Sequence, residues 1–129
     1  MNPEDLIARA IAVRENACAA YSNYKVGAAL CAASGKVYTG CNIENATYGL
    51  TVCAERVALW KALSEGERAF TQIALVTSND SPASPCGACR QLLWEFCGDI
   101  ELILANLQGF RQTLHLAEIF PRPFDRSFL

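Results

Sequence analysis

The sequence predicts an α/β protein in which a mixed sheet is covered by helices on both faces. Residues 70–77 and 100–105 are short apolar runs of strand length, and residues 86–97 between them have a helical pattern. A strand, a helix of about a dozen residues and a second strand form a unit whose strands pair in parallel. An earlier hairpin adds antiparallel strands, so the sheet is expected to be mixed.

The first predicted element is an N-terminal helix. Asn2 can cap this helix, and Pro3 suits its first position because proline lacks the N–H that would be unpaired there. Apolar residues then recur at helical spacing and predict that the helix continues to about Ala20. Its role is expected to be packing.

A β-hairpin is predicted next. Residues 25–33 and 36–41 flank Ser34-Gly35, a pair typical of a tight turn. If that turn holds two residues, Cys31 faces Tyr38 and not Cys41. A disulfide between Cys31 and Cys41 is therefore not expected.

The remaining elements follow from the same patterns. We expect an ordered loop at 42–52, a helix at 53–64, a polar loop at 78–85, an edge strand at 111–114, a brief helix at 116–120, and no regular structure from Pro121 onward. The helix at 53–64 is apolar nearly all round, which indicates burial on more than one side.

Composition limits the class of protein. The 129 residues are expected to form a single domain spanning 1–129, and 52% of them are hydrophobic, above the usual range of about 45–50%. A partner subunit is the simplest cover for the surplus apolar surface. Against 13 acidic residues stand 11 basic ones, giving a net charge of −2 without a basic cluster, which argues against nucleic acid as a partner.

The expected compartment is the cytoplasm. The chain starts Asn2-Pro3-Glu4-Asp5, without the basic and apolar segments of a secretory signal, and no apolar run approaches the roughly 18 residues of a membrane span. Seven cysteines in such a context are expected to be reduced thiols.

Three cysteines and one glutamate carry the clearest chemical signal. Glu55 follows two residues after Cys53, and Pro85 precedes the pair Cys86 and Cys89. The paired cysteines are one helical turn apart, and Cys53 opens another helix, so two helix N-termini would favour their thiolates. Three thiolates and a nearby carboxylate suit a catalytic zinc whose fourth position holds water.

Two other interpretations of the cysteines remain open. A structural zinc site needs a fourth protein ligand, for which Cys41, Cys97 and His115 are the candidates, although none has ligand spacing to the others. A redox Cys-x-x-Cys pair would leave Cys53 and Glu55 without a role. The other cysteines, Cys18, Cys31, Cys41 and Cys97, are expected to be small buried hydrophobic residues.

Four stretches together resemble the small homotetrameric cytidine deaminases. They are residues 21–30, 40–46, 53–56 and 84–91. Pro-Cys-x-x-Cys with an upstream ligand-x-Glu is the signature of zinc deaminases, and here Cys53 stands where histidine often stands. The resemblance implies a three-layer α/β/α fold with a mostly five-stranded sheet, one Zn²⁺ per subunit, and a homotetramer with shared active sites. It also implies hydrolytic deamination of cytidine and deoxycytidine to uridine and deoxyuridine, with release of ammonia, in pyrimidine salvage.

The resemblance also implies roles for residues next to the metal. Glu55 would move a proton from water to N3 of the pyrimidine and later protonate the leaving amine. Arg56 would hydrogen-bond the thiolates and offset their negative charge. Ala54 and Ser84 would contact the pyrimidine edge.

Other residues are assigned to the nucleoside by the same resemblance. Asn42 and Glu44 would bind the ribose, with Glu44 on the 3′-hydroxyl. Tyr24 stands where the family usually has a phenylalanine that packs on the base, and its hydroxyl needs a polar partner. Contacts to a neighbouring subunit's site are expected from Ala46, Tyr48 and Phe124, with Phe128 as the alternative to Phe124.

Two alternative functions differ in testable features. A deaminase of a modified cytosine nucleoside or an antibiotic such as blasticidin S would share the metal motif but lack the glutamate of the ribose loop, so Glu44 favours cytidine. A zinc-stabilised interaction domain without enzymatic activity would have four protein ligands.

Overall fold

Four α-helices and five β-strands make up the structure, a computed structural model that describes residues 1–129. Their bounds are α1 Pro3–Arg14, β1 Gly27–Ala32, β2 Val37–Cys41, α2 Ala54–Ser64, β3 Phe70–Thr77, α3 Gly87–Cys97, β4 Glu101–Asn106, β5 Arg111–His115 and α4 Leu116–Ile119. Short 3₁₀ turns occur at Tyr48–Leu50 and Arg126–Phe128. None of the helices is both long and apolar enough to cross a bilayer.

The five strands form one mixed sheet in the order β2-β1-β3-β4-β5. β3 and β4 are parallel and are connected through α3, whereas β1 pairs antiparallel with both β2 and β3. β5 lies antiparallel at the far edge. The predicted mixed sheet of five strands is confirmed, and so is the parallel pair joined by a helix.

Helices cover both faces of the sheet and create two hydrophobic cores. Successive side chains of a strand point to opposite faces, so Leu30 of β1 faces one core and Cys31 faces the other. The smaller core lies under α1 and contains Leu6, Ile7, Ala10, Ala29, Cys31, Ala74, Val76, Ile103 and Ala105. The larger core lies under α2 and α3 and includes Ala58, Leu59, Leu93, Leu75, Leu102 and Leu104. The result is the expected three-layer α/β/α arrangement.

Two glycines let helices approach the sheet closely. A Cβ atom on Gly27 would lie 2.0 Å from the carbonyl oxygen of Ala10 in α1. A Cβ atom on Gly40 would lie 2.5 Å from the carbonyl oxygen of Ala54 and 2.6 Å from the amide nitrogen of Ala58. Backbone atoms cannot rotate out of the way, so Gly40 fixes the distance between β2 and the first turns of α2.

The predicted extent of the first helix was wrong. Helix α1 ends at Arg14 and does not reach Ala20. The chain beyond it is drawn into a bridge with Ile43: Cys18 donates its amide to Asn42 at 3.0 Å, and its carbonyl accepts from Glu44 at 2.8 Å. These tertiary hydrogen bonds replace further helical ones. The other predicted helices and strands lie within two residues of their observed bounds, but a 3₁₀ turn forms at Arg126–Phe128, where no regular structure was expected.

The predicted register of the hairpin was also wrong by one residue. The turn holds three residues, since the amide of Ala32 bonds the carbonyl of Lys36 at 2.9 Å and Gly35 adopts a φ of 91°. Cys31 therefore faces Val37 and not Tyr38. Cys41 pairs with Gly27, and all seven cysteines are free, as expected. Cys31 and Cys41 are buried as predicted, but Cys97 is only partly buried and Cys18 is exposed, so the prediction that Cys18 is buried was wrong.

Helix α2 is buried on one side within the chain. Ala58, Leu59 and Ala62 are buried, but Trp60 on the opposite side is 47% exposed. The apolar residues around the helix were expected to be buried on more than one side. Within one chain the outer face of α2 remains uncovered.

Gly40→Ala is expected to lower the free energy of unfolding by about 1–3 kcal/mol, because the new methyl group would push α2 away from β2. Gly49→Ala is the matched control, since a Cβ there meets nothing within 4 Å, and its effect is expected to stay below about 0.5 kcal/mol. Denaturant unfolding followed by circular dichroism measures both. Equal stabilities of the two variants would contradict the close packing at Gly40.

Candidate active site

Three thiols meet where two helices begin. Cys53 caps the N-terminus of α2, Cys86 caps that of α3, and Cys89 lies in the first turn of α3. Their Sγ atoms all lie within 4.8 Å of one another. The partial positive charge at each helix N-terminus favours the thiolate forms. The sequence predicted this convergence from the motif Pro-Cys-x-x-Cys with an upstream ligand-x-Glu.

The geometry of the thiols fits a zinc ion. Zn–S bonds of about 2.3 Å in tetrahedral geometry separate two sulfurs by about 3.8 Å, which the cluster can match. Cys41, Cys97 and His115, the candidates for a fourth protein ligand, are not part of the cluster. Three protein ligands with one open position are typical of a catalytic site, whereas structural sites are closed by four.

The pKa values of two of the thiols are shifted in opposite directions. Interaction with the Cys89 thiol lowers the pKa of Cys53 to about 6, and the positive charge of Arg56 contributes in the same direction. The same interaction with Cys53 raises the pKa of Cys89, and burial adds to the rise. One negative charge is thus held between these two thiols, and Arg56 stabilises it.

Glu55 is a buried acid beside this cluster. It is 5% exposed and lines the same cavity as Cys53 and Cys86. Burial raises the pKa of Glu55 to about 7, and the negative charge of Cys53 adds to the rise. A carboxyl group in this condition can both hold and release a proton near neutral pH.

Arg56 supplies positive charge to the cluster. Its guanidinium interacts electrostatically with Cys53, Cys86 and Cys89. Its buried Nε has no hydrogen-bond partner within the protein. A cation in this position offsets the negative charge that three thiolates would concentrate there.

A cavity of about 260 Å³ opens beside the thiols. The structure brings to its wall most of the side chains that the sequence assigned to metal, catalysis or substrate: Tyr24, Asn42, Glu44, Cys53, Ala54, Glu55, Ser84 and Cys86. Cys89 and Arg56 lie behind the wall, next to the other thiols.

Asn42 and Glu44 hold the chain around the cavity as well as lining it. The Asn42 side chain accepts from the amide of Val26 at 2.8 Å and donates to the carbonyl of Tyr24 at 2.8 Å. Glu44 accepts from the amides of Tyr21 at 2.9 Å and Ser22 at 3.0 Å, and from the Ser22 hydroxyl.

These bonds also set the charge of Glu44. The hydroxyl and amide of Ser22 hold the pKa of Glu44 below its ordinary value. Glu44 is therefore an ionised hydrogen-bond acceptor at the cavity wall.

Sequence reasoning missed several residues of the site. The cavity is also lined by Ser22, Val26, Thr51, Val52, Leu75, Thr77 and Ala83. Thr77 could have been found, because it ends a strand of a parallel pair, where ligands of α/β proteins bind.

Arg90 has a structural role that no sequence pattern indicated. It donates to Ser84 Oγ at 2.9 Å, to the Pro85 carbonyl at 2.8 Å and to the Ile119 carbonyl at 2.7 Å. It thereby fixes the segment that carries Ser84.

Three predicted contact residues lie outside the cavity of their own chain. Ala46 is exposed, and Tyr48 is 74% exposed beside a shallow depression next to Glu44. Phe124 is 60% exposed and stacks on Phe128 with ring centroids 5.4 Å apart. Their assignment to a neighbouring subunit's site remains a prediction.

Comparison with known proteins gives the chain a family. The family described as the cytidine and deoxycytidylate deaminase zinc-binding region matches residues 1–105. The chain is 50% identical over 125 residues to the cytidine deaminase of Halalkalibacterium halodurans, covering 96% of this chain and 95% of that protein. It is 46% identical over 130 residues to the cytidine deaminase of Sporosarcina psychrophila, covering 100% of this chain and 96% of that protein.

A solved structure agrees with these sequence matches. The crystal structure of cytidine deaminase from Burkholderia pseudomallei has a TM-score of 0.93 and 47% identity, and the match covers 96% of this chain and 100% of that chain. The three-layer fold described above therefore agrees with the sequence matches. The chain belongs to the cytidine and deoxycytidylate deaminase family and carries its zinc-binding region.

Proposed function

We propose that this chain is a zinc-dependent hydrolase that converts cytidine and deoxycytidine to uridine and deoxyuridine with release of ammonia, in pyrimidine salvage. One observation carries the proposal: two thiols of the three-thiol cluster, Cys53 and Cys86, and the buried carboxyl of Glu55 line one cavity. The cytidine deaminases that align with nearly the whole chain support the choice of substrate.

Cys53, Cys86 and Cys89 are the proposed zinc ligands. Zinc held by three thiolates supplies a Lewis acid that makes water in its open position easier to deprotonate. Arg56 lies close enough to the cluster to offset the charge of the thiolates. Helices α2 and α3 keep the ligand geometry fixed, because each begins at a ligand.

Glu55 is the proposed proton shuttle. Its carboxylate takes a proton from the attacking water and delivers it to N3 of the pyrimidine while the water oxygen bonds to C4. The bond from C4 to the exocyclic nitrogen then breaks, and Glu55 passes the second water proton to that nitrogen, which leaves as ammonia. One carboxyl group serves both transfers because it accepts and donates from the same position.

The polar wall of the cavity is proposed to orient the nucleoside. Asn42 and Glu44 would bind the ribose hydroxyls, and Glu44 is suited to this because it stays ionised. Tyr24 would lie against the base, while Ala54 and Ser84 contact its polar edge. A ribose-binding carboxylate favours a nucleoside over an antibiotic substrate such as blasticidin S.

The active form is proposed to be a homotetramer in the cytoplasm. The outer face of α2 exposes Trp60, and Tyr48 and the Phe124–Phe128 pair are also uncovered. Tyr48 borders a depression that shares Ser22 and Glu44 with the cavity wall, so a subunit that covered Tyr48 would also reach the cavity. Free thiols throughout the chain fit a reducing compartment.

Glu55→Ala is expected to reduce deamination of cytidine by about 10²–10⁴-fold, because the variant lacks the group that transfers both protons. Loss of ultraviolet absorbance by cytidine measures turnover, and metal analysis should still find one zinc per chain. Glu65→Ala is the matched control, since Glu65 ends the same helix on the exposed surface.

Two outcomes of this assay would contradict the proposal in different ways. Persisting activity in Glu55→Ala would refute the proton shuttle. If the native protein does not deaminate cytidine but deaminates blasticidin S, the proposed substrate is refuted and the proposed mechanism of deamination is kept.

Light scattering of the purified protein is expected to give about four times the chain mass of 14.0 kDa, because exposed aromatic side chains at several sites need cover. The mass should not change on dilution through the micromolar range. A monomer whose mass is independent of concentration would contradict the shared-site arrangement.

A further inference from the structure

The hydroxyl group of Tyr24 has a specific partner outside the cavity. It donates to Oδ1 of Asn79 at 2.5 Å, across 55 positions of sequence. Tyr24 lines the cavity, but Asn79 does not. The tyrosine ring is therefore part of the wall, while its hydroxyl bonds a residue of the exposed loop outside the cavity.

The backbone of Tyr24 is held independently of this bond. Its amide donates to Ser22 Oγ at 3.0 Å, and its carbonyl accepts from Asn42 at 2.8 Å. The preceding residue, Asn23, adopts a φ of 55°. With the backbone fixed, rotation of the ring about its side-chain bonds is the freedom that remains, and the hydrogen bond to Asn79 restricts it.

Asn79 rests on a rigid support. Asn106, at the end of β4, is 2% exposed and donates to the carbonyls of Asn79 at 3.0 Å and Asp80 at 2.9 Å. Its side-chain oxygen accepts from the amides of Gln108 and Phe110, both at 2.9 Å. All polar atoms of the Asn106 side chain are engaged, so the segment that carries Asn79 is tied to the sheet.

We propose that Asn79 is a positioning residue for the substrate cavity, acting through Tyr24. The bond between them holds the tyrosine ring in the wall and keeps its hydroxyl from competing for polar groups of a substrate. This inference rests on the proposed function for its substrate. Asn79 is not part of the thiol cluster and makes no hydrogen bond to Glu55, so losing it weakens substrate binding and leaves the chemical step intact.

The experiment compares Asn79→Ala, Tyr24→Phe and the double variant in steady-state kinetics with cytidine. Each single variant is expected to raise KM about three- to tenfold, the range of one hydrogen bond, with kcat within about twofold of the native value. The double variant should match the single ones, because both changes remove the same bond. Asn79→Asp keeps an acceptor for the hydroxyl and should restore KM.

Asp80→Ala is the matched control, because this side chain lies next to Asn79 in the same exposed loop and makes no hydrogen bond. Its KM should equal that of the native protein. An unchanged KM in Asn79→Ala, additive effects in the double variant, or a fall in kcat alone would each overturn the proposal.

A native protein that does not deaminate cytidine would refute the proposed function without deciding this inference. The same four proteins then give a cycle in thermal unfolding. Asn79→Ala and Tyr24→Phe should each lower Tm, and the double variant should lower it no further than one of them. Additive losses of Tm would overturn the Tyr24–Asn79 pairing on grounds independent of activity.

Discussion

The meeting of two helix N-termini at one point is the constraint on which the rest of this structure depends. Gly40 lets α2 lie against β2, and the parallel pairing of β3 with β4 places the start of α3 at the end of β3. The three thiols then come together at the N-termini of these two helices. Because ordered helices fix the ligands, little conformational entropy remains to be lost when a metal binds.

Three thiolates at one point concentrate negative charge, and this charge affects the groups around them. Zinc with three thiolates carries a net charge of −1, which weakens its acidity toward water compared with a site of neutral imidazoles. Arg56 and the two helix N-termini act against this charge, whereas Glu55 is buried beside it and holds its proton more tightly. Two polar residues of the cavity wall also have a structural role. Asn42 and Glu44 hydrogen-bond the backbone of residues 21–26 and hold this segment in place.

Much of the fold could be predicted from the sequence because it depends on local periodicity, and the metal cluster could be predicted because Pro-Cys-x-x-Cys with an upstream ligand-x-Glu is a known motif. The helical spacing of Cys86 and Cys89 is such a signal, and so are the short apolar strands. One error arose where distant residues decide, and another arose at a local turn. The helix expected to reach Ala20 ends early because Cys18, in the following segment, forms a β-bridge with Ile43. The turn of the hairpin is one residue longer than expected, and this shifted the register at Cys31. Arg90 and Asn79 act through contacts that no local pattern contains.

The central claim is that three sulfurs hold the metal and leave one position to a small ligand. X-ray absorption spectroscopy at the zinc edge, on protein carrying one zinc per chain, tests it most directly. We expect three sulfur neighbours at about 2.3 Å and one oxygen or nitrogen neighbour at about 2.0 Å. Four sulfur neighbours would show a closed structural site and would contradict the account.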